Sequence, residues 1–204
     1  MSAILLASGG MDSTTLAYWL KSHDINFTPL FINYGQHCVE TEYNTLIKVL
    51  PEDKVKHIEV VDVSSIYKGS SSRMIVPADL WKDAITADDL YLPYRNLLIL
   101  TIGAIIAQKK GFSKLYAAFI NSNHAKEIDC SNDFFMALEP LLKEYGSIGI
   151  EMPFRYFSKL EVAKMGIQLK APIGYTFSCQ ASADIPCGAC PNCVDRLEAL
   201  RKIA

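Results

Sequence analysis

The chain has 204 residues, a formal net charge of −2 and 50% hydrophobic residues. This length favours one domain with a small appendage, and the apolar content is sufficient for a packed core. The near-neutral charge argues against a generally basic nucleic-acid-binding protein. We expect no signal peptide, because residues 1–8 contain neither a basic segment nor a small-residue cleavage site after an apolar stretch. The longest apolar run, residues 97–107, predicts a buried helix, since a bilayer span needs roughly 20 residues.

Apolar segments alternate with amphipathic segments along the chain, which predicts strands and helices in turn. We expect strands at residues 3–7, 27–32, 55–61, 114–119 and 148–152, and helices at residues 12–21 (with Asp12 and Ser13 as caps), 40–50, 95–110, 133–145 and 159–170, with a final helix from Val194. Residues 64–92 show no clear periodicity, and the Gly-Ser-Ser-Ser run at 69–72 predicts a mobile loop. This order implies an α/β fold with a Rossmann-like parallel sheet, whose ligands bind beyond the carboxyl ends of the strands.

A glycine-rich segment, Ser8-Gly9-Gly10-Met11-Asp12-Ser13, joins the first predicted strand to the first helix. Glycines let the backbone approach a ligand closely, and the N–H groups at a helix start favour an anion. Ser13 adds a hydroxyl donor, whereas Asp12 would repel phosphate unless magnesium lies between them. An ordinary strand–turn–helix connection with an Asp or Ser cap is the alternative. The segment matches neither the Walker motif nor the dinucleotide fingerprint.

Four of the six cysteines fall in the pattern Cys179-x7-Cys187-x2-Cys190-x2-Cys193. Two overlapping C-x-x-C steps direct several thiolates at one ion, and four thiolates form a closed structural zinc site. An iron–sulfur cluster also takes four cysteines, so the metal stays open at this point. Free or disulfide-bonded cysteines are the remaining alternative. The pattern favours a cytoplasmic metalloprotein over a secreted disulfide scaffold.

Smaller candidates lie at the predicted ends of other elements. Arg95 at a helix start suits a phosphate or carboxylate, or it is a surface arginine with Asn96 as the helix cap. Lys159 also begins a helix and is within reach of a phosphate, although such a lysine is often solvated. His37 and Cys130 follow strands at the ligand edge, but each is more readily explained as structural.

These pieces resemble the QueC family of PP-loop ATP pyrophosphatases. Ser8-Gly9-Gly10-x-Asp12-Ser13 is similar to the PP-loop, and the tail resembles the end of QueC proteins. The other matching segments are Tyr34-Gly35-Gln36, Pro93-x-Arg95-Asn96, Asp129-Cys130, Lys159-x-Glu161 and Thr176-Phe177-Ser178-Cys179 with Cys187, Cys190, Cys193 and Arg196. The resemblance covers nearly the whole chain. It implies a PP-loop domain at residues 1–175 and a zinc-binding segment at residues 176–204 packed on it.

The resemblance also implies an activity. QueC enzymes use ATP and magnesium to convert 7-carboxy-7-deazaguanine and ammonia to 7-cyano-7-deazaguanine. The residues carried over are Ser8, Gly9, Gly10, Asp12 and Ser13 for phosphate, Lys159 and Arg95 (with Asp12 and Ser13) for catalysis, and Cys179, Cys187, Cys190 and Cys193 for zinc. The resemblance further implies a homodimer. The cysteine pattern, the short apolar runs and the low basic charge predict a cytoplasmic protein with no membrane segment, for which a nucleic-acid partner is disfavoured.

The sequence departs from the family pattern around the substrate. Tyr94 stands where the family has glycine, and His37-Cys38 replaces a basic-His pair. Glu-Ile-Asp-Cys-Ser at residues 127–131 replaces Tyr-Pro-Asp-Cys-Arg. Such changes suit a paralogue with a changed substrate or acceptor, and QueC-like proteins of anti-phage operons that join a deazaguanine to a protein N-terminal amine are such relatives. A tRNA-thiolating PP-loop enzyme is disfavoured by the low basic charge, and a non-catalytic nucleotide-binding partner by the intact Asp12, Ser13 and Lys159.

Overall fold

The computed structural model describes residues 2–79, 85–120 and 130–203. These residues form one parallel sheet of five strands, in the order β3-β2-β1-β4-β5. The strands are β1 (Ser2–Leu6), β2 (Asn26–Asn33), β3 (Glu59–Asp62), β4 (Lys114–Tyr116) and β5 (Gly149–Glu151). The predicted Rossmann-like α/β fold is therefore confirmed. The chain builds outward from β1 to β3 and then crosses to β4, so the topological switch point lies between β1 and β4.

Helices cover both faces of the sheet. They are α1 (Met11–Ser22), α2 (Val39–Val49), α3 (Glu52–Val55), α4 (Arg95–Lys109), α5 (Asn132–Gly146), α6 (Lys159–Gln168) and α7 (Pro191–Arg201). Alternate β1 residues enter two cores: Leu5 packs with Leu16 of α1, and Ile4 packs with Leu100 of α4. A strand buried on both faces explains why the first predicted strand is apolar without alternation.

Several predicted boundaries were wrong. Residues 55–61 do not form one strand, because the short helix α3 ends at Val55 and β3 starts only at Glu59. The strand predicted at residues 114–119 stops at Tyr116. The last helix begins at Pro191 rather than Val194, since proline needs no N–H partner in the first turn of a helix.

In its described residues, 64–79 and 85–92, the long segment without periodicity has little regular structure, as predicted. The short 3-10 turns in these residues include Ser64–Tyr67 and Asp88–Leu90. It nevertheless buries Met74, Leu90 and Leu92 in a small cluster of its own. Tertiary packing therefore orders part of a segment for which the sequence predicted a loop.

The stretch Asp88–Lys109 has 22 residues and is long and apolar enough to cross a membrane by length and composition alone. The core helix of a soluble protein passes the same test. Only α4, the last part of this stretch, is a continuous α-helix, and it packs on β1 and β4. Leu100, Gly103, Ala104 and Ala107 are buried there, which accounts for the apolar composition.

Candidate functional site

A cleft of about 300 Å³ opens at the carboxyl ends of the strands, next to β1. Of the described helices, α1, α4, α6 and α7 all begin at this cleft and contribute residues of their first turns. Those residues are Met11, Asp12, Ser13, Arg95, Asn96, Lys159 and Asn192. Converging helix starts give the cleft a positive potential suited to a polyanion.

The glycine-rich loop forms one wall. Gly10 is the N-cap of α1, and no side chain accepts a hydrogen bond from the first turn. The predicted caps, Asp12 and Ser13, are therefore wrong in that role: both lie inside the first turn. The Ser13 hydroxyl instead donates to the Gly10 carbonyl at 3.3 Å and lies 3.3 Å from the Ser8 nitrogen. A helix start without a side-chain cap argues against an ordinary capped connection.

Gly9 lies behind the loop rather than in the cleft wall. Its φ is +77°, and a Cβ there would approach the Glu42 carbonyl oxygen and the Leu46 nitrogen at 2.8 Å each. Both contacts are backbone atoms of α2, which cannot move aside. Only glycine lets the loop pass this close to α2.

Asp12 and Lys159 form an ion pair across the cleft. The Lys159 ammonium donates to both carboxylate oxygens of Asp12, at 2.9 and 2.8 Å. The two residues are 147 positions apart, and they meet because α1 packs on α6. The predicted magnesium-binding carboxylate therefore lies beside the predicted phosphate-neutralising lysine. Bound magnesium would contact Asp12 and bound phosphate would contact Lys159, so the two ligands together would replace the ion pair.

Arg95 is the first residue of α4 and faces the cleft. Its Nε donates to the Asn96 side chain at 3.3 Å, and its Nη1 lies 2.7 Å from Met74 Sδ. The N-cap of α4 is Tyr94, so the alternative of Asn96 as cap is wrong. Asn96 is buried and donates to Cys130 Sγ at 2.7 Å. Tyr94 has a φ of +59°, the left-handed conformation that glycine adopts most easily.

Sequence reasoning missed a partly buried acid on the cleft wall, Glu42. Its Oε2 accepts a hydrogen bond from Gln36 Nε2 at 3.0 Å. Burial raises the pKa of the Glu42 carboxyl, and hydrogen bonds from Gln36 and Cys38 lower it only in part. The signal was available: Glu42 lies four residues before the buried Leu46, on the core face of α2, where an acid is unusual.

The four predicted cysteine ligands converge. Their sulfur atoms all lie within 4.8 Å of one another, and Cys179, Cys190 and Cys193 are buried. A tetrahedral zinc site with Zn–S distances of about 2.3 Å places its sulfurs about 3.8 Å apart, so the cluster fits zinc. Backbone N–H groups of Ser182 and Cys190 donate to sulfurs of the cluster, at 3.3 and 3.2 Å. Thiol donors from Cys190 and Cys193 hold the pKa of Cys179 well below its usual range.

All six cysteines are free of disulfides. This removes the disulfide alternative for the cysteine pattern. Arg196 donates to the carbonyls of Ile173 and Gly174, at 3.3 and 2.9 Å. It therefore ties α7 to the turn that precedes the cysteines.

The cysteine-bearing segment lies directly on the glycine-rich loop. The Phe177 N–H donates to the Gly9 carbonyl at 3.1 Å. Ser178, Gln180 and Asn192 line the cleft from this side. A ring nitrogen of His37, Nε2, lies 3.1 Å from the Gln180 carbonyl, which supports a structural role for this histidine. The segment is thus both a candidate metal centre and one wall of the cleft.

Cys130 lies beside Asn96 at the edge of the site. Glu127 and Ile128, two of the departures from the family pattern, and the matching Asp129 lie outside the described residues.

The parallel sheet, the glycine-rich loop at its switch point and the cysteine cluster define an α/β nucleotide-binding protein of the PP-loop type. The same fold occurs in the solved complex of a 4-thiouridine synthetase with RNA and bound ATP, at a TM-score of 0.56 and 15% identity. The match covers 97% of this chain and 49% of that one, so the chain spans about half the synthetase's length. The chain belongs to the QueC family: the family model described as queuosine biosynthesis protein QueC matches residues 2–204.

Relatives named 7-cyano-7-deazaguanine synthase match almost end to end. The protein of Archaeoglobus fulgidus is 31% identical, over 98% of this chain and 85% of its own. That of Methanospirillum hungatei is 30% identical, over 100% of this chain and 96% of its own. That of Nautilia profundicola is 27% identical, over 98% of this chain and 93% of its own. The predicted family, and the prediction of an enzyme similar to these synthases, are confirmed.

Proposed function

We propose that the protein is an ATP-dependent ligase that adenylates 7-carboxy-7-deazaguanine and converts it with ammonia to 7-cyano-7-deazaguanine. One observation carries the proposal: a single cleft brings together an uncapped helix start, Asp12, Lys159 and Arg95, in a chain matched over its whole length by the QueC family. The substrate is proposed from the name of the relatives, 7-cyano-7-deazaguanine synthase, and from their match over almost the whole chain.

The chemistry explains why such a cleft is needed. A carboxylate is a poor electrophile, so its oxygen first attacks the α-phosphorus of ATP and pyrophosphate leaves. Ammonia then adds to the acyl carbon, AMP leaves, and a proton passes to solvent as the amide forms. A second ATP activates the amide oxygen; loss of the two amide protons and of AMP leaves the nitrile.

The chain's own residues bind and orient the reactants in this scheme. The first-turn N–H groups of α1 and the Ser13 hydroxyl bind the phosphates that become pyrophosphate. Lys159 leaves Asp12 and neutralises the phosphate charge, while Arg95 binds phosphate or the substrate carboxylate. Asp12 would hold magnesium, which would neutralise charge at the triphosphate when bound. No residue needs to act as a nucleophile, since ATP provides the activation.

Zinc on the four cysteines is the structural part of the proposal. A closed tetrathiolate has no open position for catalysis. Its support is the convergence of the four sulfurs and the N–H groups that donate to them. Family membership also supports a cytoplasmic homodimer, and light scattering on the purified protein tests the dimer. The net charge of −2 supports the absence of a nucleic-acid partner.

The test incubates the protein with ATP, magnesium, 7-carboxy-7-deazaguanine and ammonium and follows products by mass. We expect the nitrile, with two pyrophosphates released per turnover. Asp12→Asn should keep the fold and lose pyrophosphate release, because it weakens magnesium binding. Asp24→Asn is the matched control, since Asp24 is exposed at the opposite end of α1. Substantial activity in Asp12→Asn would contradict the assigned role.

A different product pattern would favour the conjugating alternative suggested by the changed residues near the substrate. In that case adenylate accumulates with ammonia present and is consumed when a partner protein gains one amide-linked base at its N-terminus. Formation of no adenylate would refute the substrate assignment itself.

A further inference from the structure

Glu42 has no role in the chemistry proposed above, yet its side chain faces the cleft. Among the residues that the structure describes it forms no ion pair, although the positive charge of Arg95 lowers its pKa. Glu42 is partly buried, and a carboxylate withdrawn from water without a cation is destabilising unless hydrogen-bond donors contact it. Gln36 Nε2 is such a donor, and the nearby Cys38 thiol also lowers the pKa of the carboxyl. A carboxylate has about four acceptor sites, so acceptor capacity remains for a ligand.

Gln36 fixes Glu42, and both of its N–H donors are already in use. Its Oε1 accepts from the Tyr34 N–H at 2.9 Å, and its Nε2 donates to the Ile32 carbonyl at 3.2 Å as well as to Glu42. These partners determine the orientation of the amide. Beside Gln36, the cleft wall therefore presents the Glu42 carboxylate, a group that accepts hydrogen bonds, and the Gln36 amide has no N–H donor left for a ligand.

This arrangement distinguishes between the two bases that enter the cleft. The edge of adenine offers one donor beside one acceptor, which an Asn or Gln amide matches. A guanine-type base offers two adjacent donors, N1–H and the 2-amino group, which a carboxylate matches. We infer, on the basis of the proposed function, that Glu42 accepts both of these hydrogen bonds from the deazaguanine base and thereby selects this base as substrate.

The position of Glu42 suits this task. Its backbone lies against Gly9, so a base bound by Glu42 shares one cavity with the phosphate loop. Phe31, Ile99 and Phe119 line the same cavity and provide apolar surface for the faces of a planar ring. A buried acceptor that is left unpaired discriminates strongly against ligands that lack the donor.

The test measures binding of two ligands, 7-carboxy-7-deazaguanine and its analogue without the 2-amino group, to wild type and to Glu42→Gln by calorimetry. The affinity of wild type for the analogue should be about 10- to 150-fold weaker, the cost of one hydrogen bond to a charged group. Glu42→Gln should lose affinity for the full substrate to a similar extent and discriminate little between the two ligands. Its affinity for ATP should stay close to that of wild type.

Glu40→Gln is the matched control, because Glu40 is exposed at the start of the same helix. Equal affinity of wild type for both ligands would overturn the inference, even if Glu42→Gln failed to fold. So would a Glu42→Gln variant that loses ATP affinity instead, which would assign Glu42 to adenine. If wild type binds neither deazaguanine, the proposed function fails as well; if it binds both equally and makes the nitrile, only the role of Glu42 fails.

Discussion

Replacing Cys190 by serine tests whether the metal centre also shapes the nucleotide site. Cys190 is buried, belongs to the four-sulfur cluster and is the N-cap of α7. Zinc binding by such sites has an apparent free energy of about 10–16 kcal/mol, comparable with the whole stability of a domain, about 5–15 kcal/mol. Removing one ligand should therefore lower the bound zinc below one equivalent per chain and lower the melting temperature.

The consequence for ATP follows from a single contact. Release of the cysteine-bearing segment breaks the hydrogen bond from Phe177 to the Gly9 carbonyl. Such a bond contributes about 0.5–1.5 kcal/mol, or about 2- to 12-fold in affinity. Loss of Ser178, Gln180 and Asn192 from the cleft wall adds to this. We expect ATP affinity to fall by at least this factor.

The assay combines elemental analysis for zinc, thermal melting and calorimetric ATP titration. Cys130→Ser is the control for loss of a thiol outside the cluster and should retain the metal. The reasoning is refuted if the wild type is metal-free and fully stable, or if zinc-depleted protein binds ATP as tightly as the zinc-loaded form.

Three further variants test the loop, the start of α4 and the partly buried acid. Gly9→Ala should abolish ATP binding and lower the melting temperature, because its Cβ meets backbone atoms at 2.8 Å; Gly111→Ala, also at positive φ but in open space, should cost only the backbone strain and bind ATP normally. Tyr94→Gly should raise the free energy of unfolding in urea by up to about 1 kcal/mol, since relief of about 1–2 kcal/mol of left-handed strain outweighs about 0.5–1 kcal/mol of added chain entropy; a Tyr94→Ala variant that is equally stabilised would contradict this. Burial raises the folded-state pKa of Glu42, so its contribution to stability is fully present below the unfolded pKa and is lost as pH rises through the folded pKa. The melting temperature of Glu42→Gln relative to wild type should therefore rise with pH over this window, and a flat difference would count against it.

Local pattern predicted much of the fold. An apolar strand followed by a helix is a short-range signal. Five predicted strands alternating with helices predicted a parallel sheet, and the strands do form one. Boundaries were less well predicted where propensity was weak. Residues 55–61 have strand-like composition, but Pro51, Glu52 and Asp53 start a short helix. Val55, the first residue of the predicted strand, belongs to that helix.

The cysteine site was also predictable, because its ligands lie within 15 residues of one another and tight turns bring them together. The glycine-rich loop was predictable as an anion site for the same reason. Its caps were not: Gly10 leaves the first turn of α1 without a side-chain partner, and Asp12 turns to Lys159 instead.

The sequence by itself determined the class of fold, the loop and the metal-binding pattern, because each depends on neighbours along the chain. Only the tertiary structure decided what faces the cleft. It brings Lys159 to Asp12 across 147 residues, places Phe177 on Gly9 and turns Glu42 inward. These contacts arise because helices packed on one sheet start at the same edge, and packing between distant segments leaves no periodic signal in the chain.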